Sequence, residues 1–344
     1  MKQNIRNYTY EQLENILVDA GEKKFRASQI FEWLHKRGNY INSFEDMTNI
    51  SLPLREKLEN EFSIDTVNIE KEYISKIDDT KKYLIRLNDN NIIESVIMEY
   101  KFGSSMCIST QVGCNMGCEF CASTKNGLIR NMETYEMLGE VYAPKINISN
   151  IVLMGSGEPL NNYNNVINFI KIINDDKGYN LGKRSITVST CGIVPNIVRL
   201  AQDAKGINLA LSLHSAIEEK RKKIMKIAGK YTLEDTMRAI REFFIITKRR
   251  LSLEYSLIKG FNDGLEDVKA LCNLCKTYLD GCEYYINLIK VNEISETNFK
   301  KPSDDTIMKF RDYLNNNGIV ATIRRTLGED ISGSCGQLRN SYIA

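Results

Sequence analysis

Histidine is scarce in this sequence: only His35 and His214 occur among its 344 residues. Histidine is the most common metal ligand in proteins, and catalytic zinc sites usually contain two or three of them. A zinc or iron site built mainly from histidine is therefore excluded. Any metal centre in this chain must take most of its ligands from other side chains.

Long hydrophobic runs are also absent. No stretch of about 18 consecutive apolar residues occurs, so we expect no transmembrane helix. The first eight residues, MKQNIRNY, lack the apolar segment of a secretory signal peptide. We therefore expect a cytoplasmic protein that has no membrane partner.

Neither sign of charge dominates the composition. The chain has 46 Lys and Arg against 44 Asp and Glu, a net charge of +2, which excludes the strongly basic balance of a histone-like protein. Local basic patches on an RNA-binding enzyme remain compatible with this balance. Hydrophobic residues at 42% and charged residues at 26% are typical of a globular protein, and the length suggests about two domains.

The first part of the chain has a helical pattern. Apolar residues recur at helical spacing over 10–20, over 26–37 and from Pro53 onward, and 66–87 then alternates like a small hairpin. We predict a small N-terminal helical accessory domain over residues 1–90. Its basic residues are as compatible with a solvated surface as with a nucleic-acid contact.

The pattern changes after residue 90, where short apolar runs alternate with helical segments. This alternation is typical of right-handed βαβ units with a parallel sheet, and six units are too few for a closed eight-stranded barrel. We predict an α/β catalytic domain over residues 91–344, folded as a partial (β/α)6 barrel. The six strands are expected at 106–110, 150–154, 185–190, 207–213, 251–258 and 284–290. Helices are expected near 132–143, 162–174, 194–204, 217–228, 232–247, 264–280 and 303–317.

Residues whose side chains can bind ligands or react follow these strands. In βα barrels the active site forms at the carboxyl ends of the strands, so residues that follow different strands meet there. A cysteine triplet follows the first strand and the segment GSGEPL follows the second. The later strands end in Ser189-Thr190 and Ser212-Leu213-His214, and the sixth continues to Asn292. We expect one site to collect all of them.

The cysteine triplet Cys114-x3-Cys118-x2-Cys121 indicates a metal centre. In a reducing compartment, cysteines at such spacing more often bind metal than form disulfides. A zinc site needs a fourth Cys or His nearby, and none is present. Three thiolates suit a 4Fe-4S cluster with one open iron, which can bind the amino and carboxylate groups of S-adenosylmethionine. Zinc and a chance spacing are the alternatives.

Further motifs surround this triplet along most of the chain. They are MCISTQVGCNMGCEFCAS, VLMGSGEPL, ITVSTCGIVP, LSLHS, INLIKVN and GEDISGSCGQL. The triplet and the GEP segment resemble the radical S-adenosylmethionine superfamily. Together the motifs resemble its RlmN/Cfr family of RNA methyltransferases, and the RlmN branch more closely, from residue 25 to residue 338.

The resemblance implies a reaction and its catalytic residues. RlmN enzymes methylate carbon 2 of an adenosine in the peptidyl-transferase region of 23S rRNA and of an adenosine in the tRNA anticodon loop. By motif match, Cys335 carries the methyl group as a thioether, Glu94 removes the ring proton, and Cys107 attacks Cys335 to release the product. The two cysteines then form a disulfide that cellular thiols must reduce.

The resemblance also implies ligands and partners. Cys114, Cys118 and Cys121 would hold the 4Fe-4S cluster. The S-adenosylmethionine contacts would come from Gly157, Glu158, Ser189, Ser212, Leu213, His214 and Asn292. The expected partners are 23S rRNA, tRNA and an electron donor such as flavodoxin or ferredoxin. The enzyme is expected to be a monomer, and residues 1–90 are expected to bind RNA.

Two other functions remain open on the sequence alone. A Cfr-like enzyme would methylate carbon 8 of the same adenine with the same cysteines and confer antibiotic resistance. A non-catalytic iron–sulfur protein would bind RNA, but it would have no need of both Cys107 and Cys335. Cys272 and Cys275 lie at helical spacing beside leucines, which favours packing over a second metal site.

The cluster hypothesis has a direct test. We expect the protein reconstituted without oxygen to be brown and to contain about four irons per chain. Cys118→Ala should remove both the cluster and all cleavage of S-adenosylmethionine, because one of its three ligands is lost. Iron analysis and optical absorption measure both results. A colourless protein with one tightly bound zinc would contradict the hypothesis.

Overall fold

The computed structural model describes residues 2–293, 298–331 and 333. Its strands are β1 (Gln3–Asn4), β2 (Phe62–Ser63), β3 (Asn68–Ile74), β4 (Lys81–Arg86), β5 (Ile92–Tyr100), β6 (Gly103–Cys107), β7 (Gln111–Gly113), β8 (Leu128–Asn131), β9 (Ile148–Leu153), β10 (Ile186–Thr190), β11 (Asn208–Ser212), β12 (Leu251–Leu257), β13 (Tyr284–Lys290) and β14 (Ala321–Ile323). Its α-helices are α1 (Tyr10–Asp19), α2 (Phe25–His35), α3 (Leu52–Glu61), α4 (Thr134–Tyr142), α5 (Tyr163–Asn174), α6 (Val194–Asp203), α7 (Glu218–Ile224), α8 (Leu233–Thr247), α9 (Leu265–Tyr278) and α10 (Asp304–Asn316).

One ten-stranded sheet organises the chain, in the order β14-β13-β12-β11-β10-β9-β6-β5-β4-β3. The six predicted strands are β6 and β9 to β13, and every neighbouring pair among them is parallel. The predicted helices connect these strands and cover the outer face. The partial barrel of six βα units is therefore confirmed.

Burial explains why the sequence predicts these strands. β12 is buried along its whole length, as expected for a parallel strand covered on both faces. Such strands appear in the sequence as continuous apolar runs. Amphipathic helices follow them, and α8 shows the pattern: a Thr232 capping box starts the helix, and Met237, Ile240 and Phe243 form its buried face.

The sheet extends beyond the six barrel strands at both edges. The hairpin predicted over 66–87 is present as β3 and β4, which pair antiparallel within this sheet. β14 adds a parallel strand beside β13, and β5, β4 and β3 continue the sheet from β6 in antiparallel pairing. β14 has only three residues, which is too short for a periodic pattern. The division of the chain at residue 90 falls between β4 and β5, which are paired strands of this sheet.

The three predicted N-terminal helices are present as α1, α2 and α3. Phe31 and Leu34 of α2 are fully buried, and the His35 ring lies 3.1 Å from the Tyr142 hydroxyl of α4. The same hydrophobic core therefore runs from these helices into the barrel helices. Among the helices in the described ranges, none has the length and apolar character needed to cross a membrane.

The chain after β14 folds back onto the turn between β3 and β4. The Asp78 carboxylate of this turn accepts the Gly328 N–H at 2.8 Å. In return, the Asp330 carboxylate accepts the Ser75 hydroxyl at 2.7 Å and the Lys76 N–H at 2.8 Å. Two carboxylates thus bind the two segments to each other across about 250 residues of sequence.

Candidate active site

A cavity of about 330 Å³ opens at the carboxyl ends of the barrel strands. Eleven of the predicted site residues line it: Glu94, Cys107, Cys114, Cys118, Cys121, Gly157, Glu158, Ser189, Ser212, His214 and Asn292. Leu213 is fully buried and does not line the cavity. Cys335 lies outside the described residues. The fold therefore brings residues from six different segments to one place.

Backbone contacts hold the loop that carries the three cysteines. The Cys114 N–H donates to the Gly127 carbonyl at 3.0 Å. The Thr124 hydroxyl donates to the carbonyls of Cys118 and Cys121, at 3.2 and 2.9 Å. With their backbone groups satisfied in this way, all three cysteines line the cavity.

The donor set fits a cluster better than a single ion. Within the described ranges, no group of three or more His, Cys, Asp or Glu side chains converges closely enough to hold one metal ion. A mononuclear zinc site requires such convergence. A 4Fe-4S cluster takes one thiolate at each iron, so its ligands stand apart around one cavity. All three cysteines line the same cavity, as such an arrangement requires.

Burial raises the pKa of all three thiols, and it raises that of Cys114 to about 12. Nearby thiols add to the effect at Cys114 and Cys118, because several negative charges would lie close together. The thiols are therefore protonated at neutral pH without metal. Metal binding must release their protons.

The GSGEPL loop passes very close to neighbouring backbone. A Cβ on Gly155 would lie 2.5 Å from the Ile108 carbonyl oxygen, and one on Gly157 would lie 2.6 Å from the Gln111 Cβ. Gly157 also has φ +104, a conformation that favours glycine. The Gln111 side-chain oxygen accepts the Glu158 N–H at 2.8 Å and fixes the loop. Glycine is thus required here to place Glu158.

The Glu158 carboxylate is almost fully buried at the cavity wall. Its oxygens accept the N–H groups of Leu160 at 3.0 Å and of Cys191 at 2.8 Å. Burial raises the pKa of Glu158, and these hydrogen bonds oppose the rise. A carboxylate in this position can bind the ammonium group of an amino-acid ligand such as S-adenosylmethionine.

His214 is held as a neutral hydrogen-bond donor. Its Nδ1 accepts the Ser256 N–H at 3.0 Å, so the ring hydrogen lies on Nε2. Burial and then the charge of Arg221 lower the pKa of His214 to about 3. The Phe120 ring packs edge-on against it, with ring centroids 4.5 Å apart. The cavity therefore gains a donor that does not change its charge near neutral pH.

Glu94 and Cys107 come from adjacent antiparallel strands, β5 and β6. Glu94 is buried and forms an ion pair with buried Lys82 at 3.1 Å. Burial raises the pKa of the Cys107 thiol to about 11, and the positive charge of Arg324 opposes the rise. The thiol must lose its proton before it can act as a nucleophile.

Several residues of the site were not foreseen. Gln111 orients Glu158, Lys82 pairs with Glu94, and Glu254 lines the cavity while accepting the Asn287 amide at 2.8 Å. One sequence feature could have marked Lys82 as part of the fold's interior: it directly precedes the apolar run Tyr-Leu-Ile of β4. Gln111 lies within the motif MCISTQVGCNMGCEFCAS, and Glu254 lies in the middle of β12, but nothing in the sequence assigned either of them a role.

The structure also shows where two other groups of residues singled out by their sequence pattern lie. Cys272 and Cys275 are buried in the hydrophobic core on α9, so the packing interpretation is confirmed. Arg221 stands in the basic run Lys-Arg-Lys-Lys of residues 220–223, a pattern typical of an exposed surface, but its side chain is only 1% exposed. It points inward from α7, whereas Lys222 and Lys223 on the same helix are exposed.

Comparison with known proteins gives two family matches. Residues 3–64 match the ribosomal RNA large subunit methyltransferase N-terminal domain, and residues 108–275 match the radical SAM superfamily. The chain is 48% identical over 344 residues to a protein of Clostridium novyi named "Probable dual-specificity RNA methyltransferase RlmN", covering 99% of this chain and 98% of the relative. A Clostridioides difficile protein of the same name is also 48% identical, over 98% of each chain.

A solved structure shares the fold. It is a radical SAM methyltransferase from Sphaerobacter thermophilus, with a TM-score of 0.88 and 34% sequence identity. The match covers 97% of this chain and 98% of that one. The sheet order and the partial barrel described above are therefore those of a known methyltransferase fold.

The two histidines allow a test of the site's electrostatics. Burial also lowers the pKa of His35 well below its usual value. We therefore expect neither imidazole to titrate between about pH 5 and pH 9, because both rings stay neutral. Nitrogen NMR of the cluster-free protein with labelled histidine measures this, and His35→Gln assigns the signals. A His214 signal that titrates near pH 6.5 would contradict the buried, neutral ring.

Proposed function

The chain belongs to the RlmN family of radical S-adenosylmethionine RNA methyltransferases, and we propose that it methylates carbon 2 of adenosine in both 23S rRNA and tRNA. One observation carries the proposal: the three cluster cysteines, Glu158, Glu94 and Cys107 all face one cavity. A 4Fe-4S cluster and S-adenosylmethionine are the cofactors of this enzyme class.

The chain's own residues would divide the work of holding these cofactors. Cys114, Cys118 and Cys121 would bind the cluster, and the Glu158 carboxylate would bind the amino group of S-adenosylmethionine. The polar groups at the ends of β10, β11 and β13 would contact the rest of that molecule. They are Ser189, Ser212, His214 and Asn292. Leu213 is fully buried and does not line the cavity, so its role would be to support the pocket.

A radical is needed because carbon 2 of adenine is electron-poor and does not attack a sulfonium methyl group. When bound, the cluster and S-adenosylmethionine supply a carbon radical that starts the reaction. Cys335 would accept the methyl group at sulfur and present it to the adenine ring. This divides one difficult transfer into easier covalent steps.

Glu94 and Cys107 would then complete the reaction. The Glu94 carboxylate would take the proton from carbon 2, and the Lys82 ammonium 3.1 Å away balances its charge in the buried site. Cys107, as a thiolate, would attack the sulfur of Cys335 and form a disulfide. The carbon–sulfur bond breaks with its electron pair left on the methylene carbon, which takes a proton and becomes the methyl group. Cellular thiols would reduce that disulfide before the next cycle.

RNA would reach this cavity with its target base turned out of the stack. Arg324 and Arg325 are exposed and line the cavity mouth, where their charges can bind phosphates. We propose that residues 1–90 form the accessory domain and contribute further RNA contacts. This agrees with the N-terminal family match over residues 3–64. A flavodoxin or ferredoxin would supply electrons to the monomeric enzyme in the cytoplasm.

Carbon 8 is the alternative target, and two observations favour carbon 2. The segment Gly157-Glu158-Pro159-Leu160 resembles RlmN rather than Cfr. The curated relatives at 48% identity carry the RlmN name. The angle of the base in the pocket decides between the two carbons, and about 1.4 kcal/mol of difference between poses changes the rate ratio tenfold.

The methylated carbon can be identified directly. We expect 2-methyladenosine after anaerobic reaction with an rRNA fragment and with a tRNA, followed by digestion to nucleosides. Chromatography against 2-methyladenosine and 8-methyladenosine standards measures the product. A dominant 8-methyladenosine peak would assign the enzyme to carbon 8, with the fold unchanged.

Replacing either of the two catalytic cysteines should block the reaction, but at a different step in each case. Cys335→Ala should prevent methyl loading of the protein, because the accepting sulfur is gone. Cys107→Ala should still load and attack RNA but should not release it, so a covalent protein–RNA species should accumulate. Mass spectrometry measures the loading and a denaturing gel shows the adduct.

Cys282→Ala is the matched control for this pair, since Cys282 is half-buried and does not line the cavity. It should retain normal turnover. Normal turnover in both Cys107→Ala and Cys335→Ala would show that the assigned roles are wrong. Inactive Cys107→Ala without any adduct would leave that residue a structural role only.

A further inference from the structure

Arg221 is among the largest fully buried side chains of the described residues. It lies on α7, next to the cysteine-lined end of the cavity, and only 1% of its surface is exposed. Arginine is almost never fully buried unless a partner balances its charge. Its position therefore requires an explanation.

The contacts of Arg221 do not supply that balance. Its Nε donates to the Leu213 carbonyl at 3.2 Å, and one terminal nitrogen donates to the Cys191 carbonyl at 2.8 Å. The other terminal nitrogen, Nη1, is buried without a hydrogen-bond partner. Within the described part of the chain, Arg221 forms no ion pair with a carboxylate. A cation and a free donor are thus buried against neutral carbonyls.

One of the cluster cysteines, Cys118, lies close to Arg221. Cys191, whose carbonyl Arg221 binds, packs with Cys118 in one small buried group. Met225, one turn after Arg221, forms a backbone bridge with Cys118. An anion held by Cys118 would lie near the guanidinium.

We propose that Arg221 is the buried counter-charge of the iron–sulfur cluster and raises its reduction potential. Three thiolates leave such a cluster with a net negative charge, and reduction adds one more electron. A nearby fixed cation stabilises the reduced form more than the oxidised form, and low dielectric strengthens the effect. Arginine suits this role because it keeps its charge when buried. The inference rests on the cluster described under the proposed function.

The same contacts give Arg221 a second effect on the site. It joins the ends of β10 and β11 through the carbonyls of Cys191 and Leu213. Its charge also helps to keep His214 neutral, after burial. The experiment must therefore separate charge from position, which the reduction potential does and activity alone does not.

The test compares three variants of the full-length, anaerobically reconstituted protein. Arg221→Gln removes the charge but keeps a donor, Arg221→Lys keeps the charge, and Lys223→Gln removes an exposed charge from the same helix. The potential is measured by redox titration, with electron paramagnetic resonance detecting the reduced cluster. We expect a more negative potential for Arg221→Gln and values near wild type for the other two.

A fourth variant keeps the test valid if Arg221→Gln fails to fold, which iron content and circular dichroism reveal. Glu218 lies on the same helix, and its negative charge acts on Arg221. Its carboxylate accepts the Leu233 N–H at 2.7 Å, and the glutamine amide oxygen can replace it there. Glu218→Gln should therefore fold and make the potential more positive.

Three results would overturn the proposal. The first is an unchanged potential in a folded Arg221→Gln that holds its full iron. The second is an equally negative shift of the reduction potential in Arg221→Lys, which would assign the effect to hydrogen bonding and not to charge. The third, if Arg221→Gln does not fold, is an unchanged potential in Glu218→Gln. A wild-type protein without any cluster would instead overturn the proposed function, so the two failures are distinguishable.

Discussion

Parallel pairing of β6 and β9 to β13 is the constraint on which the rest of the molecule depends. Parallel strands need a crossover connection, and the helices that supply it cover the outer face of the sheet. All the strands therefore end at the same edge, where their following loops are free to vary. Residues separated by more than 150 positions, such as Cys114 and Asn292, meet in one cavity for this reason.

Charge burial is the main cost of this arrangement. The cavity wall and its surroundings contain the carboxylates of Glu94, Glu158 and Glu254, together with Lys82 and Arg221, all nearly inaccessible to water. The three carboxylates and Lys82 have compensating contacts, such as the Lys82–Glu94 ion pair and the backbone donors to Glu158, whereas the charge of Arg221 is not balanced by a carboxylate contact among the described residues. Polar groups fixed in a dry site act more strongly on a ligand than they would in water. The same contacts thus reduce the free-energy cost of burying these charges and hold the polar groups in place to act on a ligand.

The segments that follow the two edge strands of the sheet, β3 and β14, are in contact with each other. Asp78 and Asp330 bind the turn after β3 to the segment after β14, and Gly328 lies against Thr80. The strands before β6 therefore do more than connect an accessory domain: they contribute Glu94 and Lys82 to the site and contact the segment that leads toward Cys335. A helical module alone would not have supplied these groups.

Sequence patterns were sufficient to predict the barrel strands, their helices, the N-terminal helices and the β3–β4 hairpin, and the family motifs predicted most of the cavity residues. Continuous apolar runs such as β12 reflect burial on both faces. The spacing of Cys114, Cys118 and Cys121 reflects local chain geometry. Both patterns can therefore be recognised in the sequence before the fold is known. Four features follow from the tertiary structure and not from the sequence: the attachment of the β3–β4 hairpin to the barrel sheet through β5, the addition of β14, the pairing of Lys82 with Glu94, and the burial of Arg221. Each of these depends on contacts between segments distant in the chain, and a lysine or arginine in a basic run has the same local pattern whether it faces water or a cluster site. Local periodicity records which side of an element is apolar, but the partner of a buried charge is set by where other elements pack.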